Sequence, residues 1–131
     1  MTGEEKQLLL KDLHAKAMYG LKVMVVDNGS VLTLFDILGN DKVYLKADEK
    51  AIRGWSVDIE NVKPFLRPFH TMTDEEREEY KKTFYNFGNK FGIGLSYPSY
   101  ESFDWLDRHF FDYRGLIENG LAIEAIEGLY N

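Results

Sequence analysis

The sequence contains no cysteine, which excludes disulfide bonds and thiolate metal sites. Such an absence fits a reducing compartment, where disulfides are rare. The chain also lacks any apolar run near the ~20 residues that cross a bilayer, because Lys11 ends the cluster Leu8-Leu9-Leu10. No basic segment precedes that cluster, so no signal peptide is predicted. We therefore expect a cytoplasmic protein.

What the chain does contain is enough apolar material for a core, with 44% hydrophobic and 15% aromatic residues in 131. The formal net charge is -6, and the excess of acid is confined to residues 71–131, which carry twelve acidic and six basic residues. An acidic half repels phosphate and so disfavours duplex nucleic acid and anionic membranes. The composition changes near Pro68, and the predicted units are residues 1–68 and 69–131.

Residues 1–68 are predicted to form a helix and a small antiparallel β-barrel, in an α+β protein. Thr2 and Glu5 have the spacing of a capping box, and Gly20 suits a left-handed helix end. Alternating apolar residues predict five strands between Leu21 and Arg67, with a 3₁₀ turn at 59–61, the order of SH3-like small barrels. Pro64 and Pro68 would confine the fifth strand to an edge. The helix should have an apolar face of Leu9, Leu10, Leu13 and Ala17 and a polar face of Lys6, Lys11 and Lys16. The strand residues expected in the core are Val23, Val25, Leu34, Val43, Leu45, Val57 and Leu66.

Residues 69–131 are predicted to be helical. Thr73 and Glu76 form a second capping box, and residues 86–98 are expected to be a loop. Ser102 should cap a further helix, and Asp112 should open a last one that Gly120 ends. The glycine cluster of the predicted loop (GNKFGIG) follows a helix, not a strand, so a turn-rich loop is favoured over a phosphate cradle. The buried face of the Ser102 helix is expected to be Phe103, Leu106 and Phe110.

Three segments carry a resemblance to a known family. They are the opening EEKQLLLKDL, the middle VKPFLRP, and the C-terminal FDWL with HFFDYRGLI and GLA. Together they resemble an uncharacterised family of short proteins from gut-bacterial genomes and their mobile elements. The resemblance implies a whole small protein and not a fragment of a larger enzyme. It implies no activity, cofactor or partner, so no residue role can be transferred.

Residue patterns for catalysis and metal binding are weak. No two of the three histidines have the i, i+3 or i+4 spacing of a helical metal pair, and no serine lies in a G-x-S-x-G turn. Asp107, His109 and Asp112 could ligate a divalent ion, but surface or capping roles are favoured. We therefore predict no catalytic residue, metal ligand or cofactor, and a small hydrolase or metal enzyme ranks third among the functions.

Single-stranded nucleic-acid binding is the second hypothesis. Lys63, Phe65 and Arg67 alternate on the fifth strand, and Tyr44 could lie on a similar outer surface, an arrangement typical of a stacking platform. Against this, the barrel segment is neutral and the remainder acidic. Basic stems along a packing rim would give the same pattern, and that interpretation is favoured.

The leading hypothesis is a non-enzymatic protein-interaction or assembly module, which binds an unidentified protein or self-associates. The C-terminal half has more aromatic residues than two short helices need, and aromatics are enriched at interfaces. The candidate binding residues are Trp105, His109, Tyr113 and Arg114. Arg114 is unfavourably placed at a helix N-terminus, which implies a specific partner. An internal carboxylate is preferred to an external ligand.

Overall fold

The computed structural model describes residues 1–86 and 96–130. Its first element, helix α1 (Gly3–Lys16), begins at the predicted capping box, where Thr2 Oγ1 accepts from the amide of Glu5 and the Glu5 carboxylate accepts from the amide of Thr2. A 3₁₀ turn over Ala17–Tyr19 continues it, and Gly20 ends it with a φ of 80°. The predicted apolar face is buried at Leu9, Leu10 and Leu13.

Five strands follow, as predicted: β1 (Lys22–Val25), β2 (Val31–Leu38), β3 (Lys42–Lys46), β4 (Gly54–Asp58) and β5 (Val62–Leu66). Gly29 and Gly39 have φ values of 72° and 65°, so the turns after β1 and β2 use the conformation that glycine adopts without strain. A 3₁₀ turn at Ile59–Asn61 lies before β5, as predicted. All seven expected core residues of the strands are buried except Val57, which is half-buried because it lies on the outermost strand, β4.

The strands form an open six-stranded sheet in the order β4-β3-β2-β1-β5-β8, where β8 is Ile123–Glu124. The first five pair antiparallel, and β8 pairs parallel with β5. The prediction that β5 is an edge strand is therefore wrong. Val26 donates to the carbonyl of Asn61, and because hydrogen-bonded pairs alternate, Pro64 falls opposite Val23 where the ladder needs no N–H from it.

The C-terminal part is only partly helical. It contains α2 (Asp74–Lys81), α3 (Tyr100–Arg108), a 3₁₀ turn at Phe69–Thr71 and the paired strands β6 (Tyr85–Asn86) and β7 (Ser96–Tyr97). The capping box at Thr73 and Glu76 is present. Most of the predicted loop at 86–98, including the glycine cluster, lies outside the described residues.

Two helix predictions in this part are wrong. Helix α3 begins at Ser99, whose amide donates to Ser102 Oγ, so Ser102 is a buried residue of the first turn and not the cap. The residues after Asp112 form turns instead of a helix, because Gly115 is left-handed with a φ of 74°. Asp112 still accepts from the amides of Leu116 and Ile117.

Two groups of buried side chains hold the elements together. The larger joins α1 to the sheet and includes C-terminal residues such as Leu116 and Leu121. The smaller lies between α2 and α3 and contains Met72, Trp105, Leu106 and Phe111. Phe103 was expected on the buried face with Leu106 and Phe110, but it is 43% exposed because Ser102, Trp105 and Leu106 form the buried face of α3.

Candidate functional site

A groove with a volume of about 620 Å³ lies where the end of β5 meets α2, α3 and the C-terminal segment. We call it the polar groove. Arg67 and Glu76 line one side, and Arg108, His109 and Phe110 at the end of α3 line another. Its remaining wall is the segment 125–130, which follows β8. The groove therefore depends on the parallel pairing of β8 with β5, which brings the C-terminal segment to this place.

An ion pair with fork geometry lines one side of the polar groove. Arg67 donates from both terminal nitrogens to Glu76, at 2.8 and 2.7 Å, and its guanidinium lies 4.2 Å from the centroid of the Phe111 ring. Thr73 also donates to the Glu76 carboxylate from its backbone amide. These hydrogen bonds, those from Arg67 above all, lower the pKa of Glu76 to about 2. Glu76 is thus a carboxylate at neutral pH whose oxygens are already occupied.

His109 lies between the polar groove and the smaller core. Its ring is stacked on Trp105 with 4.1 Å between centroids, and its Nδ1 is 3.8 Å from a Glu76 oxygen. Burial lowers the pKa of His109, so the neutral imidazole is favoured. Trp105 Nε1 donates to Glu79 at 3.1 Å. Trp105 therefore fixes the position of the imidazole, while α2 supplies the carboxylates around it.

Phe110 has a left-handed backbone with a φ of 63°, the one such residue other than glycine in the described chain. It ends α3 in the place that glycine usually takes, since the amide of Phe111 donates to the carbonyl of Leu106. A strained conformation of this kind costs ~1–3 kcal/mol and persists only when surrounding contacts enforce it. The Phe110 ring stacks on Tyr130 at 3.9 Å between centroids, and this contact provides that enforcement.

A network of buried charges lies behind α3. Lys16 and Asp12 are fully buried and bonded to each other, and Lys16 also donates to Asp107 at 3.0 Å. Arg114 donates to Asp12 at 2.7 Å, and the Tyr113 hydroxyl donates to Asp107 at 3.1 Å. Burial raises the pKa of Asp12, while Lys16 and Arg114 oppose that shift. The placement of Lys16 on a polar face was wrong, because the face that it shares with Asp12 turns towards α3.

The chemistry available at these two places is limited. No group of three or more His, Asp or Glu side chains in residues 1–86 and 96–130 is arranged to hold a metal ion. Asp107 bonds to Lys16, His109 faces Glu76 and Asp112 caps a turn, so these three side chains do not converge. The Glu76 carboxylate is occupied by Arg67, which leaves it a weak base. In the polar groove the Arg67–Glu76 pair thus joins the end of β5 to α2.

The four candidate binding residues are placed unevenly. Trp105 is buried, with 2% of its surface exposed, and Tyr113 and Arg114 are half-buried in the charge network. Only His109 among the four lines the polar groove. The internal partner preferred for Arg114 is present and is Asp12. A binding role for the four residues stays a prediction.

The residues of the nucleic-acid hypothesis are dispersed. Phe65 is buried, Arg67 is bonded to Glu76, and Lys63 lies on β5 while Tyr44 lies on β3, with two strands between them. They do not form one platform. The sheet surface around Tyr44 is nevertheless aromatic, because Phe35 contacts its ring edge-on at 6.0 Å.

Phe35 and Trp55 are exposed aromatic side chains on opposite faces of the sheet, because Phe35 contacts Tyr44 whereas Trp55 pairs with the buried Leu45. Each is 54% exposed, and Ile52, just before β4, is 94% exposed. Phe35 is the extra residue of a β-bulge between Leu34 and Asp36, and Lys46 Nζ lies 3.6 Å from its ring centroid. Bulges often re-aim a side chain in this way. We call Ile52 and Trp55, with the outer edge of β4, the edge surface.

The sequence analysis missed several residues that define these places. Asp12 and Lys16 follow Leu9 at i+3 and i+7, which is the spacing of a shared helix face, and that signal was available. Glu76 was recognised only as a cap. Phe35 faces outward because of a bulge, which alternation does not reveal.

Comparisons with protein-family models, curated proteins and solved structures return no match for this chain. None of the helices in the described part of the chain has the length and apolar character needed to cross a membrane. The function must therefore be argued from the geometry of the chain itself.

Proposed function

We propose that this protein is a non-enzymatic protein-interaction or assembly module that binds its partner through the edge surface. One observation carries the proposal. Trp55, which is 54% exposed, lies on β4, and Ile52, which is 94% exposed, lies just before it, while the outer edge of β4 is unpaired in the described chain. Large apolar side chains beside a free strand edge are the two features by which one chain adds to the sheet of another.

The other candidate surfaces support this assignment by contrast. In the polar groove Arg67 is paired with Glu76. In the charge network Lys16 is paired with Asp107 and Arg114 with Asp12. Trp55, in contrast, is absent from both groups of packed apolar residues in the described chain. Aromatic side chains of this kind supply much of the binding energy at protein interfaces.

Three finer proposals accompany it. The strand order β4-β3-β2-β1-β5, with a 3₁₀ turn before β5, supports a small barrel of the SH3-like type. The lack of cysteine supports a cytoplasmic location. The resemblance described above would make the protein an accessory factor of a mobile element.

Affinity capture from the native cytoplasm, after nuclease treatment, tests the proposal. We expect the wild-type chain to retain a protein partner, or a second copy of itself, and Trp55→Ala to lose most of it. Tyr100→Ala is the matched control, because Tyr100 is 93% exposed on α3, away from the edge surface. Equal capture by all three chains would contradict the proposal.

Single-stranded nucleic-acid binding is a second candidate with one observation in its favour. Lys46 lies over the exposed ring of Phe35, and Tyr44 lies beside it, which is the composition of a base-stacking surface. A salt-sensitive shift of single-stranded RNA that Lys46→Ala abolishes and Lys82→Ala preserves would support this function. The net charge of -6 opposes it, and we expect no shift at physiological salt.

A further inference from the structure

The outer edge of β4, which no other strand in the described part of the chain pairs with, has a defined set of hydrogen-bonding groups. Ile59 donates to the carbonyl of Asp41, so the opposed pair Asp41 and Ile59 is hydrogen-bonded. Hydrogen-bonded pairs alternate along an antiparallel ladder, so Val57 and Trp55 bond to β3 as well. Gly54, Ser56 and Asp58 must then direct their N–H and C=O groups away from β3.

This edge lacks the features that usually block strand addition. β4 contains no proline or lysine, and it pairs with β3 in continuous register without a bulge. The segment Arg53–Asp58 carries one charge of each sign, at opposite ends. It therefore does not repel an antiparallel copy of itself.

From these features we infer that β4 pairs antiparallel with β4 of a second copy of this chain, about a two-fold axis at Ser56. The inference rests on the proposed function and names the partner. Ser56 of each copy bonds to Ser56 of the other, and Gly54 bonds to Asp58 of the second copy. This register is the one that uses all three outward-directed residues of both strands.

The side chains are self-complementary in the same register. Trp55 falls opposite Val57 of the second copy in a non-hydrogen-bonded pair, where facing side chains are closest. Aromatic and β-branched residues are a favourable cross-strand pair, and the two-fold axis forms this pair twice. Arg53 of one copy approaches the end of the strand that carries Asp58 of the other. The contact also covers Trp55, whose exposure is otherwise unexplained.

The pairing should be weak. A five-residue strand pair with one aromatic contact on each side of the two-fold axis is smaller than a standard interface of ~1,600 Å². We therefore expect a dimer that forms at high protein concentration and dissociates on dilution. The dimer closes on itself, because the two-fold axis uses the same edge of both copies.

Charge substitution at Ser56 tests the register. A two-fold axis places residue 56 opposite itself, so Ser56→Glu and Ser56→Lys should each abolish the dimer through like-charge repulsion. An equal mixture of the two variants should restore it as a heterodimer. Sedimentation equilibrium over a wide concentration range measures the oligomeric state of each variant and of the mixture. Lys82→Gln, just after α2, and Asp104→Asn, on α3, are controls that change the net charge by the same amounts at exposed positions, and they should dimerise like wild type.

The outcomes separate this inference from the proposed function. A wild-type chain that stays monomeric at every concentration would overturn self-pairing, and so would a dimer unaffected by both Ser56 substitutions. Loss of the dimer without rescue in the mixture would also reject the two-fold register, provided both variants melt like wild type. Trp55-dependent capture of another protein by a monomeric chain would leave the proposed function standing.

Discussion

The sheet and the C-terminal part of this protein are stabilised in different ways. Between Lys22 and Leu66 the chain is held by backbone ladders and by an apolar core with few polar atoms. Beyond Pro68 the short helices are joined by specific side-chain pairs, such as Arg67 with Glu76 and Lys16 with Asp107. Apolar burial tolerates approximate fits, whereas a buried ion pair requires both partners. The C-terminal part should therefore be far more sensitive to the loss of single polar groups.

The largest effect is expected for Lys16→Met. The substitution keeps the apolar stem but leaves Asp12 and Asp107 without their shared cation. Removing one partner from a buried ion pair costs about 3–5 kcal/mol, which should appear as a lower free energy of unfolding in urea titration. Lys11→Met, on the exposed side of α1, should change it by less than about 0.5 kcal/mol. A loss below about 1 kcal/mol at Lys16 would show that the network is not important for stability.

Leu45→Ala probes the sheet in the same measurement. Leu45 is fully buried between α1 and the neighbouring strands, and its truncation should cost about 2–4 kcal/mol. Leu38→Ala, which changes a side chain 43% exposed, should cost well under 1 kcal/mol. We expect salt and pH to leave the stability loss of Leu45→Ala unchanged and to alter the stability loss of Lys16→Met. Parallel responses of both variants would mean that the two parts are not stabilised differently.

Arg114→Ala should cost about 1–2 kcal/mol, because one hydrogen bond to the buried Asp12 is lost. A double-mutant cycle with Asp12→Asn separates this pair from the rest of the network. A coupling free energy near zero would contradict the pairing. Unchanged stability together with reduced capture of a partner would instead support the binding role predicted for Arg114.

The same difference explains how much could be predicted from the sequence. The strands follow from alternation and turn residues, and all five lie between Leu21 and Arg67 as expected. The C-terminal turns could not be predicted, because Gly115 prevents a helix that Asp112 would otherwise cap. The position of β8 depends on a pairing with β5 that is distant in sequence and only two residues long.

The candidate sites divide in a similar way. An internal carboxylate was expected for Arg114 because a helix was predicted to begin at Asp112; that helix does not form, and Asp12 is nevertheless the partner of Arg114. The polar groove could not be anticipated from the sequence, since it brings together Arg67, Glu76 and His109 from three separate parts of the chain. Trp55 shares a face of β4 with Val57 by alternation, but its exposure depends on β4 being an edge.

The smallest expected effect is a pH dependence that belongs to the Arg67–Glu76 pair. The pKa of Glu76 is lowered to about 2 in the folded chain, against an ordinary value of 4.5. A lowered carboxyl pKa contributes stability that is fully present above pH 4.5 and is lost as the pH falls towards 2. Glu76→Gln should therefore cost about 1–2 kcal/mol at pH 7, and its difference from wild type should shrink between pH 4.5 and 2. Glu75→Gln, an exposed change in the same helical turn, should show no such trend. Urea titrations at several pH values measure both differences, and one that stays constant for Glu76→Gln down to pH 2 would show that its charge does not hold α2 against the sheet.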